Sequence, residues 1–137
     1  MSTPFDFLRA EFPALHQEAG RAWLSALRDP RVSCFYSRRC VELAVKWAFE
    51  FDRDLREPYD INLMSYVKEP TFRNAVGETL NQNVKKLVRL GNQAAHENRP
   101  IPPQDSVAAV SHLFEFTYWV ARTYGRAKPP ADYGTRE

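Results

Sequence analysis

Four polar residues of this chain, Lys85, Arg89, Asn92 and His96, carry the spacing of a single helix flank. With Val84 at the centre of the apolar face and about 100° per residue, all four lie beside the core rather than in it. Arg89 and His96 stand nearly one above the other, and Asn92 lies between them within reach of both. A cation, an amide and an imidazole so arranged suit a phosphate group, and Lys85 and Arg89 are the residues that would hold nucleic-acid backbone. With a second copy opposite, Arg89, Asn92 and His96 have the parts of a metal-independent ribonuclease. The guanidinium would stabilise charge developing on phosphorus, and a neutral imidazole would take the 2′-hydroxyl proton. The same residues also have a structural reading. His96 can face the negative end of its helix, Asn92 can brace the next loop through backbone groups, and Arg89 can pair with an acid of an earlier helix. Residue types alone leave both open. Gly91, Ala94 and Ala95 are small and allow a neighbouring helix or subunit to approach closely.

The elements that must position this flank are helices. Ten prolines fall mostly between segments of helical period, and there are only five glycines. Over 4–27, Phe5, Leu8, Phe12, Leu15, Ala19, Trp23 and Ala26 recur every three or four residues, and Pro13 kinks or restarts the helix. Asp29-Pro30 reads as a cap with proline in the first helical position, opening a long central helix over 30–51. Val32, Tyr36, Cys40, Leu43, Trp47 and Phe51 form one apolar face of it, and Val41, Val45 and Ala48 a second strip. Arg39, Glu42, Lys46 and Glu50 read as a ladder of surface ion pairs. DRDLREPYDIN is a polar loop, and a short helix through Leu63, Met64 and Val67 ends at Pro70. Helices over 76–95 and 103–124 follow. The expected fold is all-α, a compact bundle of about five helices. Its expected core holds Phe12, Trp23, Tyr36, Leu43, Trp47, Val84, Leu87, Val110, Phe114 and Ala121.

The chain has 137 residues, 44% of them hydrophobic and 13% aromatic, enough for one domain with a real core. Nineteen basic against 17 acidic residues leave a net charge of only +2, so any nucleic-acid binding needs a local patch. No apolar run is long enough to span a membrane, and MSTPFDFLRAEF lacks a signal core, so a cytoplasmic protein is expected. Cys34 and Cys40, roughly 9 Å apart along a helix axis and on different faces, are beyond disulfide reach and read as reduced core thiols. Nothing in the chain suggests a metal site or a cofactor.

LVRLGNQAAHE is similar to the helix-ending motif of a family of helical domains in the HEPN superfamily, often found at the N-terminus of type I restriction motor subunits and related helicase-like proteins. FDFLRAEFPAL, DPRVSCFYSRRCVELAVKWAF and FEFTYWVARTY resemble the family's opening, second helix and closing helix, in the same order. The resemblance runs from about Phe5 to Tyr124. It implies a HEPN-like bundle over 1–124, a linker or tail over 125–137, and a longer parent carrying nuclease and motor domains in phage defence. HEPN ribonucleases carry an arginine, four to six residues, and a histidine; Arg89 and His96 match the longest form. Leu90 stands where active members often carry a polar residue. The chain has no phosphate-binding GxxxxGK[ST] loop, and its acids in DRDLREPYD fall in a loop rather than on a strand. Neither ATP hydrolysis nor DNA cleavage is therefore expected here. The reading is a non-catalytic interaction or scaffold domain of a restriction motor subunit, in contact with the rest of that subunit or a second copy and with DNA or RNA. The alternative is a dimeric HEPN-type ribonuclease working through Arg89 and His96.

One further surface is expected on the last helix. With Val110 at the core centre, His112, Glu115, Trp119 and Arg122 point roughly the opposite way, with Phe116 and Val120 at the edge. Phe116, Trp119 and Arg122 then form a docking interface, unless the N-terminal segment folds back over Trp119.

Overall fold

A computed structural model describes residues 2–96 and 98–129. Among these the protein is all-helical. A 3-10 turn at Asp6–Leu8 precedes α1 (Pro13–Ser25), α2 (Pro30–Phe51), α3 (Leu63–Lys68), α4 (Pro70–Val76), α5 (Glu78–His96) and α6 (Pro103–Tyr124). No described helix is long and apolar enough to cross a membrane.

Local chemistry sets most of these boundaries. Asp29 accepts a hydrogen bond from the Val32 N–H at 3.3 Å, and Pro30 opens α2. Asn62 caps α3 through the Ser65 N–H at 2.9 Å. Glu69 caps α4 through the Thr71 N–H at 2.7 Å, so Pro70 does more than end the preceding helix, as the sequence suggested: it starts a new one. Gly77, at φ 99°, makes the turn from α4 into α5, a conformation that side-chain-bearing residues avoid. Residues 4–27 do not form one kinked helix. Pro13 starts α1, and the segment before it is a short turn that inserts Phe5 and Leu8, both fully buried.

Helix α2 is the centre, packed against α1, α5 and α6. Its deeply buried residues include Val41, Val45 and Ala48, the second of the two strips read from the sequence, together with Cys34, Ala44 and, from the first strip, Cys40. Leu43, Tyr36 and Trp47 are only partly buried, and Phe51 is 61% exposed. Trp23, expected in the core, is exposed as well. Helix α1 turns Leu15, Ala19, Ala22 and Ala26 inward, which leaves Trp23 on its outer side. Val84, Leu87, Val110 and Ala121 are buried as expected, with Phe12 and Phe114 partly so. Both cysteines are buried and unpaired, and burial pushes the Cys34 thiol up to about 11 and Cys40 further still.

Side chains also tie the helices together. The Ser33 hydroxyl donates to the Ala22 carbonyl at 2.6 Å, and the Asn81 amide to the Val67 carbonyl at 2.9 Å. The first residues of the expected linker do not leave the domain. Glu11 accepts from the N–H groups of Arg126 at 3.0 Å and Ala127 at 3.1 Å, and Pro129 is buried. Residues 130–137 of that linker lie outside the described residues.

Candidate functional site

The flank that carries Lys85, Arg89, Asn92 and His96 borders α2. What joins the two helices there is an arginine that the sequence reading did not single out. The Arg38 Nε–H donates to Asn92 Oδ1 at 2.6 Å. Its aliphatic stem lies across Gly91: a Cβ added at Gly91 would stand 2.3 Å from Arg38 Cβ. Arg38 Nη1 also lies 3.6 Å from Glu42 Oε1, one turn along α2, and Lys46 Nζ reaches the other oxygen of Glu42 at 3.2 Å. Gly91 thus allows the close approach expected of a small residue, and its neighbour on α2 is a long cationic side chain.

This arrangement fixes the role of Asn92. Its carbonyl oxygen holds a charge-assisted bond across a helix pair, so the amide braces α2 rather than the loop after α5. His96 is the last residue of α5 and the basic residue of its last turn, as foreseen; Arg31 serves the same helix end, donating from Nη1 to the Ala94 carbonyl at 2.6 Å and from Nη2 to the Arg99 carbonyl. His96 and Arg89 are exposed and Lys85 is half-buried. Among the described residues Arg89 has no ion pair with an acid of α2, and Glu42 pairs with Arg38 and Lys46. Lys85 and Arg89 are the cations of the α5 flank, and Arg38 borders it from α2 through Asn92, with Glu42 between Arg38 and Lys46.

The α2 ion-pair ladder forms only in part. Glu42 and Lys46 pair, but Arg39 turns to α1, with Nε 3.8 Å from Glu18 Oε2. Glu18 is a buried carboxylate that also sits 3.6 Å from Arg21, whose guanidinium lies over the Tyr36 ring at 5.5 Å.

Of the docking face expected on α6, Phe116 is fully buried and Trp119 partly buried. The cover is α4: the Phe72 ring lies 6.2 Å from both Phe116 and Trp119. The N-terminal segment does fold back, but over Phe114 and Tyr118, which it meets through Phe5 and Phe7. Arg122 donates to the Pro129 carbonyl at 2.7 Å and so holds the chain after α6. A seven-residue helix opened by Pro70 supplies the cover, and the sequence reading had ended its helix there.

Among the described residues no cluster of histidine, cysteine and carboxylate side chains is fit to hold a metal ion. No family model, no curated protein and no solved structure matches the chain.

Proposed function

We propose that this chain is a non-catalytic interaction domain, of the kind that precedes the nuclease and motor domains of a type I restriction subunit or a related defence protein, and that its α2/α5 flank contacts nucleic-acid backbone. The observation that carries the non-catalytic part is the 2.6 Å bond from Arg38 to Asn92. It engages the residue between Arg89 and His96 in joining two helices, and leaves Arg89 and His96 exposed. Lys85 and Arg89 on this flank support the nucleic-acid contact, since phosphates are met by lysine and arginine whatever the base sequence.

The test is oligonucleotide binding by fluorescence anisotropy over a salt series. Single- and double-stranded probes of unrelated sequence should bind, more weakly as salt rises. Replacing Lys85 and Arg89 by alanine should lower the salt slope by about two charges' worth. Probes that fail to bind at low salt, or a double variant with unchanged affinity and slope, would remove nucleic acid from the proposal. The parentage has its own test: a nuclease and two motor domains encoded after Glu137 would support it, and any other continuation would count against it.

Exposed Arg89 and His96 on one flank keep the ribonuclease reading specific enough to test. RNA incubated with the protein in EDTA should stay intact, and His96→Ala should change nothing. Cleavage that leaves 2′,3′-cyclic phosphate ends and is lost in a folded His96→Ala variant would replace the non-catalytic reading with the enzymatic one.

A further inference from the structure

Among the described residues eight large apolar side chains are exposed, and six of them fall on two features at opposite ends of α2. The first is a groove where the C-terminal end of α1 meets the first half of α6. Trp23, Leu24, Leu27, Val107 and Val110 line it, around a volume of about 420 Å³. The Ser106 hydroxyl fastens the two helices beside it by donating to the Ala26 carbonyl. Leu27 is 73% exposed, and Trp23, Leu24 and Val107 each show more than a third of their surface. The one charged side chain in the lining is Arg28, which has no ion-pair partner among the described residues.

The second feature is the loop that follows α2. It is tied down at both ends. Leu55 is buried, the Arg56 N–H donates to Thr71 Oγ1 at 3.0 Å, the Tyr66 hydroxyl donates to Glu57 at 3.4 Å, and Asn62 caps α3. Between these ties stand Tyr59, fully exposed, and Ile61, 79% exposed. Residues 57–62, EPYDIN, hold two carboxylates and no base, and the nearest base in sequence is Arg56 at the tied end. Glu57 is engaged by Tyr66, whereas Asp60 has no ion-pair partner among the described residues. The loop is therefore a projecting apolar pair with an unpaired carboxylate between its two members. Because its ends are already held, docking it costs little further ordering.

Loop and groove are complementary in shape and in charge: a convex apolar pair faces a concave apolar lining, and one unpaired carboxylate faces one unpaired guanidinium. They cannot meet within one molecule. Helix α2 separates them, with 22 residues and a length of about 33 Å. We propose that the Tyr59–Ile61 loop of one copy docks in the α1/α6 groove of a second copy, with Asp60 against Arg28. The apolar contact supplies the affinity, since water leaves both surfaces at once. The charge pair at the rim sets partner and register. The two surfaces differ, so the contact is head-to-tail. A copy that gives its loop keeps an open groove, and association continues as a chain or closes as a ring.

Sedimentation velocity over a concentration series, up to the solubility limit, tests this. The parent chain should form species larger than a dimer as its concentration rises. The double variant Tyr59→Asp, Ile61→Asp disables the loop, and Leu27→Asp disables the groove. Each should sediment as a monomer. All three positions are exposed, so melting temperatures should stay near that of the parent. An equimolar mixture of the two variants should restore a single loop–groove contact and stop at the heterodimer, because the remaining loop and the remaining groove are both disabled. Arg28→Glu should weaken association by about tenfold, and Asp60→Arg in the same chain should recover most of that loss. A parent chain that stays monomeric would leave the groove to a different protein and overturn the proposal. A dimer that survives the loop substitutions, or a variant mixture that stays monomeric, would overturn it as well.

Discussion

Two aromatic groups, joined at Tyr124, exchange the places their sequence positions suggest. Trp119 on α6 falls on the outward side by helical angle with Phe116 at the edge of that side, yet Phe116 is fully buried under Phe72. Phe51 lies in an apolar stripe of the central helix, yet it is 61% exposed. Helical period fixes which residues share a face. It does not say which faces another element will cover. The cover over Phe116 is α4, whose Phe72 is fully buried and also stacks on Phe49 at 5.7 Å. The stripe containing Phe51 runs out at the helix end, where Phe12 and Tyr124 approach from the sides and leave its outer face open.

The sharpest way to break this comparison is at Phe116. Truncation of a fully buried phenylalanine removes its contacts and leaves a cavity, so Phe116→Ala should cost about 3–5 kcal/mol in chemical denaturation. A loss below about 1 kcal/mol would mean that α4 does not cover α6, and would restore Phe116, Trp119 and Arg122 as a docking face.

The elements that the sequence placed well are those with local signals. Asp29-Pro30 and Pro103 set the starts of α2 and α6 through capping and a pre-set φ, which need no tertiary partner. The flank of Lys85, Arg89, Asn92 and His96 is likewise a matter of angle along one helix, and Asn92 does face α2 as such a flank must. The Arg38 contact was not legible, because it joins residues 54 positions apart and depends on the depth to which two helices approach. Gly91 was the available signal: a small residue on a flank marks a close approach, but it does not name the side chain that fills it. Trp23 was misplaced for a related reason. Leu15, Ala19 and Ala26 of the expected face are buried, but the seam with α2 turns to the side of Ala22 and leaves Trp23, on the other side of that face, outward.

The Gly91 contact gives the second test, of intermediate size. A methyl group there meets Arg38 Cβ at 2.3 Å and Cγ at 2.9 Å, atoms close to the α2 backbone that cannot swing away freely. Gly91→Ala should therefore push α2 from α5 and cost about 1–3 kcal/mol, as overpacking does, despite alanine's better helix propensity. Pairing it with Arg38→Ala should recover part of that loss, because the clash is with the Arg38 stem beyond Cβ as well as with Cβ itself. Independent, additive losses in the two variants would show that the stem and the glycine are not in contact.

The smallest effect is expected at Phe51, and its smallness is the point. Phe51 stacks on Trp47 at 4.7 Å and 13° and meets Tyr124 at 5.8 Å, but most of its surface is already in water. Truncation to alanine gives up one stacked and one edge contact without opening a cavity, and alanine is the better helix former in the last turn of α2. The two contributions oppose each other, so Phe51→Ala should change stability by less than about 1 kcal/mol. Set beside Phe116→Ala, the same change of residue type on the same fold then differs several-fold in cost, with burial as the variable. A loss at Phe51 as large as that at Phe116 would mean that the neighbouring rings close over it in solution, and that Phe51 belongs to the core despite its 61% exposure.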